Sequence, residues 1–424
     1  MEELLAWKKR EKHKPLLLKG ARQVGKTWIL KQFAREHYDS YLYFNFEKEP
    51  SLGSVFEENK DPKRILSLLS MLAGKSIIPE KTLVILDEIQ LCPAALNTVK
   101  YFKEETPEYH IAVAGSLLGV ALGEQQIPVG MADIIHMYPM TFPEFLYEHN
   151  RTLHDYYFSI GKDTRIEEVF HEKLVGEYLL YMLIGGMPEC VASYLEFNDV
   201  DEVERIQRDL IELYENDFTK YAGRIDAARI LQVFRSIVPQ LSKPNEKFVY
   251  GAIRKGARSV QFETAIEWLV SAGLIYRVHN VNNPGYPLCG YEEKDAFKIF
   301  FFDTGLLRNM AGIHSSSILM KDPFQFKRPM TENYVLQQLI PILNIEPFYY
   351  STNTDEIDFL LQLGDSIVPV EVKCGTDKEA PSFKKYIKKY NPEIAIRFSL
   401  RNYKKDGAII NMPLYLAPRL LELL

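Results

Sequence analysis

A short segment near the amino end of the chain has the residue types and spacing of a phosphate-binding loop. GARQVGKT, from Gly20 to Thr27, matches the pattern G-x-x-x-x-G-K-[ST] at every fixed position. In such a loop successive backbone N–H groups point at phosphate oxygens, Lys26 reaches the β- and γ-phosphates, and Thr27 offers its hydroxyl to Mg²⁺. The predicted nucleotide contacts are Gly20, Ala21, Arg22, Gln23, Val24, Gly25, Lys26 and Thr27.

Two carboxylates end an apolar run in a second motif, LVILDEIQ, from Leu83 to Gln90. A continuous apolar run of this kind is typical of a buried parallel strand. Asp87 is expected to hold Mg²⁺ through water, and Glu88 to orient or deprotonate the attacking water. A solvated acidic turn and a chance GKT in a glycine-rich turn are the alternatives. The presence of both motifs together favours the nucleotide site.

A third apolar run, HIAVAGS, ends at Ser116. A polar group there could sense the γ-phosphate from a neighbouring strand, and a plain strand-end serine is the alternative. The candidate catalytic residues are therefore Lys26, Glu88 and Ser116. ATP and Mg²⁺ are the predicted ligand and cofactor.

The tail carries a second set of spaced carboxylates. Asp358 lies in DEIDFLL, and Glu371 and Lys373 lie in VPVEVKCG. Residues 371 and 373 of a strand point to the same face, which would place a carboxylate beside an ammonium. Asp358 and Glu371 could chelate a second Mg²⁺, Glu332 could complete the site from the preceding helix, and Lys373 could position a water. An ordinary Glu–Lys pair on a strand is the alternative.

The elements that must position these residues are visible as alternating apolar and helical patterns. The predicted strands of the first part are Pro15–Lys19, Tyr41–Phe46, Thr82–Leu86 and His110–Ala114. Such alternation is typical of a parallel sheet covered by helices. A helical connector is predicted over residues 151–245, with a break at GGMP (185–188).

A winged helix is predicted over residues 246–310. KFVYGAIRKGA would form its first helix and the turn after it, a second helix would start near Ser259, and Leu274–Val281 with Phe297–Phe302 would form the wing. Four basic residues precede the second helix without an intervening acid: Lys247, Arg254, Lys255 and Arg258. Recognition helices present their N-terminal residues to DNA, so DNA is a predicted partner, and a plain protein-contact module is the alternative.

A second basic segment lies in the tail. Residues 373–405 hold ten basic and three acidic residues, and four lysines fall at helical spacing: Lys384, Lys385, Lys388 and Lys389. A nucleic-acid backbone would bind such a face, and a solvated helix face is the alternative. Global charge gives no such indication, because the formal net charge is −6.

The composition excludes several other classes. The four cysteines are scattered and form no CxxC pair, which argues against a zinc site and a disulfide framework. No signal peptide is evident, and no apolar run reaches the ~18 residues of a membrane helix. These features predict a soluble cytoplasmic protein that does not enter membranes.

Gly20–Thr27, Asp87–Glu88 and AGS (114–116) together resemble a widespread prokaryotic family of AAA+-like P-loop ATPases fused to a C-terminal domain of unknown function. Further phrases along the chain also resemble that family: YPMTFPEF (138–145), GGMPE (185–189) and FFDTGLL (301–307). The carboxylates of the tail resemble the restriction-endonuclease-like, PD-(D/E)xK-type superfamily. The chain departs from the family in two respects. It starts only one helix before the first strand, where many relatives carry an extra leader. PVGMADII (128–135) contains no Arg or Lys, and Arg22 and Arg224 could reach phosphate but are more often surface residues than arginine fingers. Fast turnover would then need an arginine from a homo-oligomer or an unidentified protein partner.

The resemblance implies an α/β protein with an AAA+-like P-loop ATPase core over residues 1–150 and a restriction-endonuclease-like domain over 311–424. The expected function is ATP binding and hydrolysis, with the C-terminal half engaging nucleic acid under nucleotide control. The alternative is a nucleotide-gated scaffold or signalling switch whose inactive nuclease-like tail binds a protein. A helicase or remodelling motor ranks last, because no helicase motif accompanies the two nucleotide motifs.

Overall fold

The computed structural model describes residues 1–11, 13–116, 130–221, 224–243, 246–319, 326–343, 346–376 and 380–424. They form two compact units, Met1–Tyr138 with Ser271–Gly273, and Pro139–Val270 with Leu274–Leu424. The first unit ends before the predicted boundary at residue 150. The helix that begins at Phe142 belongs to the second unit, because the backbone N–H of Phe142 donates to Gln338 Oε1 at 2.8 Å.

A five-stranded parallel sheet organises the first unit, in the order β2-β3-β4-β1-β5. The strands are β1 (Leu16–Lys19), β2 (Ser40–Asn45), β3 (Thr82–Asp87), β4 (His110–Ala114) and β5 (Asp133–His136). The helices are α1 (Glu2–Lys8), α2 (Lys26–His37), α3 (Gly53–Glu57), α4 (Pro62–Ala73) and α5 (Pro93–Glu105). Every side chain of β3 and β4 is buried, as expected for parallel strands covered on both faces.

The four predicted strands of this unit are confirmed to within about one residue. The fifth, β5, is not among them, because its side chains alternate between half-buried and exposed and form no continuous apolar run. β4 pairs with both β1 and β3. The carboxyl ends of these three strands therefore lie side by side at one edge of the sheet.

An eight-stranded mixed sheet organises the second unit, in the order β12-β13-β11-β10-β9-β8-β6-β7. Its strands are β6 (Ile275–Asn280), β7 (Glu293–Phe301), β8 (Phe348–Ser351), β9 (Glu356–Leu363), β10 (Ser366–Val372), β11 (Ala395–Ser399), β12 (Lys404–Asp406) and β13 (Ile409–Pro413). The helices of this unit are α6 (Phe142–His149), α7 (Arg151–Ser159), α8 (Glu168–Ile184), α9 (Pro188–Phe197), α10 (Val200–Tyr221), α11 (Arg224–Leu241), α12 (Ser259–Ser271), α13 (Thr304–Met310), α14 (Ser315–Leu319), α15 (Lys327–Leu343), α16 (Pro381–Tyr390) and α17 (Leu420–Leu423).

Helices α8 and α9 are separated at the predicted GGMP break. Within the described residues, no single helix combines the length and the apolar character needed to cross a membrane. α8 and α9 meet that criterion only as a pair, across a bend of 118°.

The segment predicted as a winged helix is built differently at its start. The helix predicted within KFVYGAIRKGA is wrong, because only Tyr250–Ala252 forms a 3-10 helix, and turns follow up to Gly256. Gly251 and Gly256 weaken an α-helix here, and Gly256 adopts a φ of +79° that no helix contains. The second helix, α12, starts at Ser259 as predicted.

The two predicted wing strands, β6 and β7, do form an antiparallel pair. This pair is not a free wing, because Asn280 of β6 pairs with Tyr349 of β8 and so joins the strands of the tail in one sheet. The predicted boundary between residues 310 and 311 thus falls inside one compact unit. The winged-helix interpretation is not confirmed.

A buried carboxylate joins the phrases GGMPE and FFDTGLL. Asp303 begins α13, where Oδ1 accepts a hydrogen bond from the N–H of Leu306 at 2.9 Å. Its Oδ2 accepts from the N–H of Gly186 at 2.7 Å and from Gln337 Nε2 at 3.2 Å. A Cβ at Gly186 would lie 2.2 Å from the carbonyl oxygen of Met140, in YPMTFPEF. These phrases therefore meet at a structural contact.

Replacing Asp303 by Ala should destabilise the second unit strongly, because three buried donors lose their acceptor. We expect a loss of about 3 kcal/mol or more in the free energy of unfolding, measured by urea denaturation. Asp226→Ala, on an exposed first turn where the carboxylate pairs with Arg229, should change it by less than about 0.5 kcal/mol. Equal effects of the two substitutions would contradict this account of Asp303, and Asp303→Asn serves if the alanine variant does not fold.

Candidate functional site

The predicted phosphate loop connects β1 to α2 at the carboxyl edge of the first sheet. Its backbone is tightly bent, with Gln23 and Gly25 at φ values of +66° and +93°. Gly20 is required by a close approach, because a Cβ there would lie 2.2 Å from the carbonyl oxygen of Met137. α2 begins at Lys26, so the free N–H groups of its first turn face the loop.

Lys26 is folded back over its own loop. Its Nζ donates hydrogen bonds to the carbonyl oxygens of Gly20 at 2.9 Å and Ala21 at 2.7 Å. Burial lowers the pKa of Lys26 to about 8, against the raising effect of the carboxylates of Glu88 and Asp87. The ammonium therefore lies at the centre of the loop, where phosphate oxygens could replace the two carbonyls.

Thr27 and Asp87 meet across the edge of the sheet. Thr27 Oγ1 donates to Asp87 Oδ2 at 2.7 Å, and the hydroxyl of Tyr43 donates to the same oxygen at 2.8 Å. Asp87 is buried. A hydroxyl and a carboxylate in direct contact at a phosphate loop fit the oxygen ligands that Mg²⁺ prefers. The structure thus brings the two predicted Mg²⁺ ligands together, and their binding of the ion stays a prediction.

Glu88 and Ser116 also come together, through a third residue. Glu88 Oε2 accepts hydrogen bonds from Gln90 Nε2 at 2.5 Å and from Ser116 Oγ at 3.3 Å. Gln90 Nε2 also lies 3.5 Å from Ser116 Oγ. The predicted catalytic residues therefore share one edge of the sheet, and Glu88 Oε2 accepts hydrogen bonds from two side chains.

The predicted carboxylates of the tail lie next to one another in the second unit. Asp358 on β9 and Glu371 on β10 occupy adjacent antiparallel strands, one step beyond the pair Phe359–Val370. Lys373 Nζ lies 2.7 Å from Glu371 Oε1, which confirms the expected carboxylate–ammonium pair. Asp358 Oδ2 accepts a hydrogen bond from the N–H of Val372 at 2.6 Å.

Cations of the chain occupy the other oxygens of this site. Arg328 bridges two carboxylates, with Nε 2.7 Å from Glu332 Oε1 and Nη2 3.0 Å from Asp358 Oδ1. Lys298 is fully buried and lies 3.7 Å from Glu332 Oε2 and 2.7 Å from Glu356 Oε1. Lys298 also lies 3.3 Å from Glu246 Oε2. We call Glu246, Lys298, Arg328, Glu332, Glu356 and Asp358 the buried charge cluster, in which the side chain of Arg328 is 45% exposed.

Burial raises the pKa of two carboxyl groups in the buried charge cluster, those of Glu246 and Asp358. Burial beside Glu332 raises the pKa of Glu246 to about 9. Burial, followed by the charges of Glu332 and Glu371, raises the pKa of Asp358 well above the ordinary range of aspartate. Among the described residues, no group of three or more His, Cys, Asp or Glu is arranged to hold a metal ion. A metal at Asp358 and Glu371 stays a prediction.

Three stretches of the chain match known protein families. Residues 12–146 match an AAA domain, whereas residues 176–317 and 327–416 match domains of unknown function, DUF8612 and DUF4143. The first match coincides with the phosphate loop and the acidic strand end described above. Residues 12–146 are an AAA-type P-loop ATPase domain. The nuclease-like fold predicted for the tail is not confirmed by these matches.

Three solved structures that are similar to the chain share little sequence with it. A Walker-type ATPase of Pyrococcus abyssi is 15% identical, with a TM-score of 0.45, over 73% of this chain and 93% of that chain. The RuvB Holliday junction branch migration motor of Thermotoga maritima is 13% identical, with a TM-score of 0.29, over 65% and 86%. PCH-2 of C. elegans is 14% identical, with a TM-score of 0.28, over 44% and 56%. These scores are too low to carry an argument, and none of the curated proteins compared matches the chain.

Sequence reasoning missed two neutral residues of the AAA domain. Tyr43 gave no signal beyond its place in the apolar run YLYFNF, although it donates to Asp87. Gln90 belongs to the motif LVILDEIQ but had no assigned role. Of the arginines considered as fingers, Arg22 lies near enough to Lys26 to lower the pKa of that lysine. The side chain of Arg224 lies outside the described residues, as do Pro128 and Val129 of PVGMADII, so no finger is assigned.

Sequence reasoning also missed the cations of the buried charge cluster. Lys298 interrupts the apolar run AFKIFF, and a lone charge in a buried strand was a usable signal. Arg328 stands four residues before Glu332 on α15, which is the spacing of a helical ion pair.

Nucleotide binding to the AAA domain should take up a proton above about pH 8. In the free protein Lys26 has a pKa of about 8, and a phosphate beside it favours its charged form. Affinity for ATP–Mg²⁺ should therefore fall as the pH rises through 8, by up to about tenfold per unit, while phosphate groups, which titrate near pH 6, stay ionised. Isothermal titration calorimetry at about pH 9, in buffers of different ionisation enthalpy, measures the uptake.

The matched variant is Lys26→Arg, whose guanidinium stays charged over this range. A Lys26→Arg protein that binds with the same proton uptake as the wild type would assign the proton to another group.

Proposed function

We propose that the AAA domain binds ATP with Mg²⁺ and hydrolyses it to ADP and phosphate. The observation that carries this proposal is the contact between Thr27 and Asp87, 2.7 Å apart at the edge that also holds Lys26. That contact joins the end of the phosphate loop to the acidic strand end. An edge of this kind can receive the phosphates, the ion and the attacking water together.

Each residue has a role that follows from its place. The amides of residues 20–27 and the first turn of α2 hold the phosphates. Lys26 exchanges its two carbonyl partners for phosphate oxygens and stabilises the charge that grows on them. Thr27 and Asp87 would hold Mg²⁺, which when bound would supply positive charge to the phosphates. Glu88 accepts the proton of the attacking water, and Ser116 lies beside Glu88, between the loop and the acids.

Substituting Glu88 by Gln should separate hydrolysis from binding. The amide keeps the shape but cannot accept the proton, so we expect steady-state hydrolysis to fall about 100-fold or more with ATP affinity nearly unchanged. Lys26→Ala should instead weaken binding about 10- to 100-fold. Phosphate release and binding of a labelled ATP analogue measure the two effects. The controls are Glu36→Gln and Lys63→Ala, both exposed in the same unit. Hydrolysis that survives in Glu88→Gln would sink the assignment of the base.

We further propose that the second unit engages nucleic acid under control of the nucleotide state. The observation behind this is α16, where Phe383 and Tyr386 are buried and Lys384, Lys385, Lys388 and Lys389 are exposed. A row of exposed ammonium groups on one helix face suits a phosphate backbone.

The alternative is a catalytically inactive tail that binds a protein, in a nucleotide-gated scaffold. The observation behind this alternative is the buried charge cluster. Arg328 and Lys298 already pair with Glu332 and Asp358, the acids that a catalytic metal would need.

Measurements of DNA binding distinguish a second unit that engages nucleic acid from a tail that binds a protein. If α16 binds the backbone, Lys384→Gln/Lys388→Gln should weaken binding of a DNA duplex, and the slope of log affinity against log salt should fall by about two. Lys162→Gln/Lys173→Gln removes equal charge at exposed positions of the same unit and should change neither. Fluorescence anisotropy at several salt concentrations, with and without ATP, gives the slopes.

The same preparations, incubated with plasmid DNA and Mg²⁺ or Mn²⁺, test cleavage. Nicking that is lost in Asp358→Ala and in Lys373→Ala would support a nuclease. No nicking, together with no DNA binding in either nucleotide state, would favour the protein-binding tail.

A further inference from the structure

Gln90, two residues after Glu88, contacts the carboxylate of that proposed base. Gln90 lies in a 3-10 helix, Ile89–Leu91, directly after Glu88. Its Nε2 donates to Glu88 Oε2 at 2.5 Å, and Ser116 Oγ donates to the same oxygen at 3.3 Å. One oxygen of the Glu88 carboxylate therefore has two donors, from the ends of two neighbouring strands, β3 and β4.

The backbone is bent to make this contact. Glu88 adopts a left-handed conformation, with φ of +53° and ψ of +40°, which is uncommon for a residue with a side chain. Strained residues of this kind persist only where the surrounding structure holds them, and they concentrate at functional sites. Here the N–H of Leu91 donates to the carbonyl oxygen of Glu88 at 3.1 Å and closes the turn. The turn brings the side chains of residues 88 and 90 to one place.

A neutral amide suits the task of holding a base. Its N–H groups donate to a carboxylate at any pH. A carboxylate held by two donors at Oε2 keeps a defined orientation of its other oxygen, and orientation at this level decides rates.

We propose that Gln90 is a positioning residue for ATP hydrolysis, which acts through its hydrogen bond to Glu88 and not through contact with the nucleotide. This inference rests on the proposed hydrolysis at the AAA domain. It adds a third member to the pair of Glu88 and Ser116, and it predicts that the N–H donor of Gln90, more than its volume, is what turnover requires.

Three substitutions at Gln90 test the role of the donor. Gln90→Met keeps the length but removes the donor, and we expect kcat to fall about tenfold with the Kd for ATP within about twofold. Gln90→Lys retains an N–H donor and should keep kcat within about threefold. Gln90→Glu keeps the shape but turns the donor into an acceptor facing Glu88, and should lower kcat about 100-fold. Single-turnover hydrolysis and equilibrium ATP binding measure the two quantities.

The order Lys, Met, Glu, from fastest to slowest, is the expected signature. A role in packing alone predicts that methionine, the apolar residue of similar length, does at least as well as lysine, and that order would overturn the proposal. Gln32→Met is the matched control, because Gln32 donates to Glu36 on the exposed side of α2 in the same unit, and it should leave kcat unchanged.

Failure of this inference is distinguishable from failure of the proposed function. If the wild type hydrolyses ATP and Glu88→Gln does not, while all three Gln90 variants match the wild type, only the role of Gln90 is wrong. If the wild type binds but does not hydrolyse ATP, both the hydrolysis and the positioning role are wrong. A fall in ATP affinity that equals the fall in kcat would show that Gln90 acts on binding, which also overturns the proposal.

Discussion

The nucleotide site depends on one constraint, which is that the strands of the first sheet all run in the same direction. Because β4 pairs in parallel with β1 on one side and with β3 on the other, the chain leaves all three strands at one edge. Lys26, Asp87 and Ser116 are far apart in sequence and meet only for this reason. An antiparallel β4 would place Ser116 at the opposite edge, where it could touch neither Glu88 nor a phosphate.

What could be read from the sequence follows from this geometry. The phosphate loop was predictable because its residues are consecutive and its backbone conformation needs glycines at fixed places. The position of Asp87 and Glu88 at the edge of the sheet was predictable because a fully apolar strand must end where the chain leaves the core. Tyr43 and Gln90 were not, because a neutral polar side chain gains its role from the register of neighbouring strands, which no local pattern reports.

In the second unit the sequence predicted some positions of charged residues and missed others. The spacing correctly predicted that Asp358 and Glu371 lie side by side, since a strand, a turn and a strand fix their distance. It did not predict that Arg328 and Lys298 fill the space between the acids. Residues 247–257 were predicted to form a helix and its turn, but Gly251 and Gly256 disfavour an α-helix there. GGMPE and FFDTGLL, which entered the sequence analysis only through the family resemblance, meet around the buried carboxylate of Asp303.

The buried charge cluster also limits how this chain can change over generations. Lys298 has no exposed surface and stands against Glu332, which has none either. Loss of Lys298 alone would take positive charge away from Glu332 and Glu356 together, which is more damaging than loss of the lysine and its acids to apolar residues of similar size. We therefore expect replacements of the lysine and of its acids to be tolerated better together than singly.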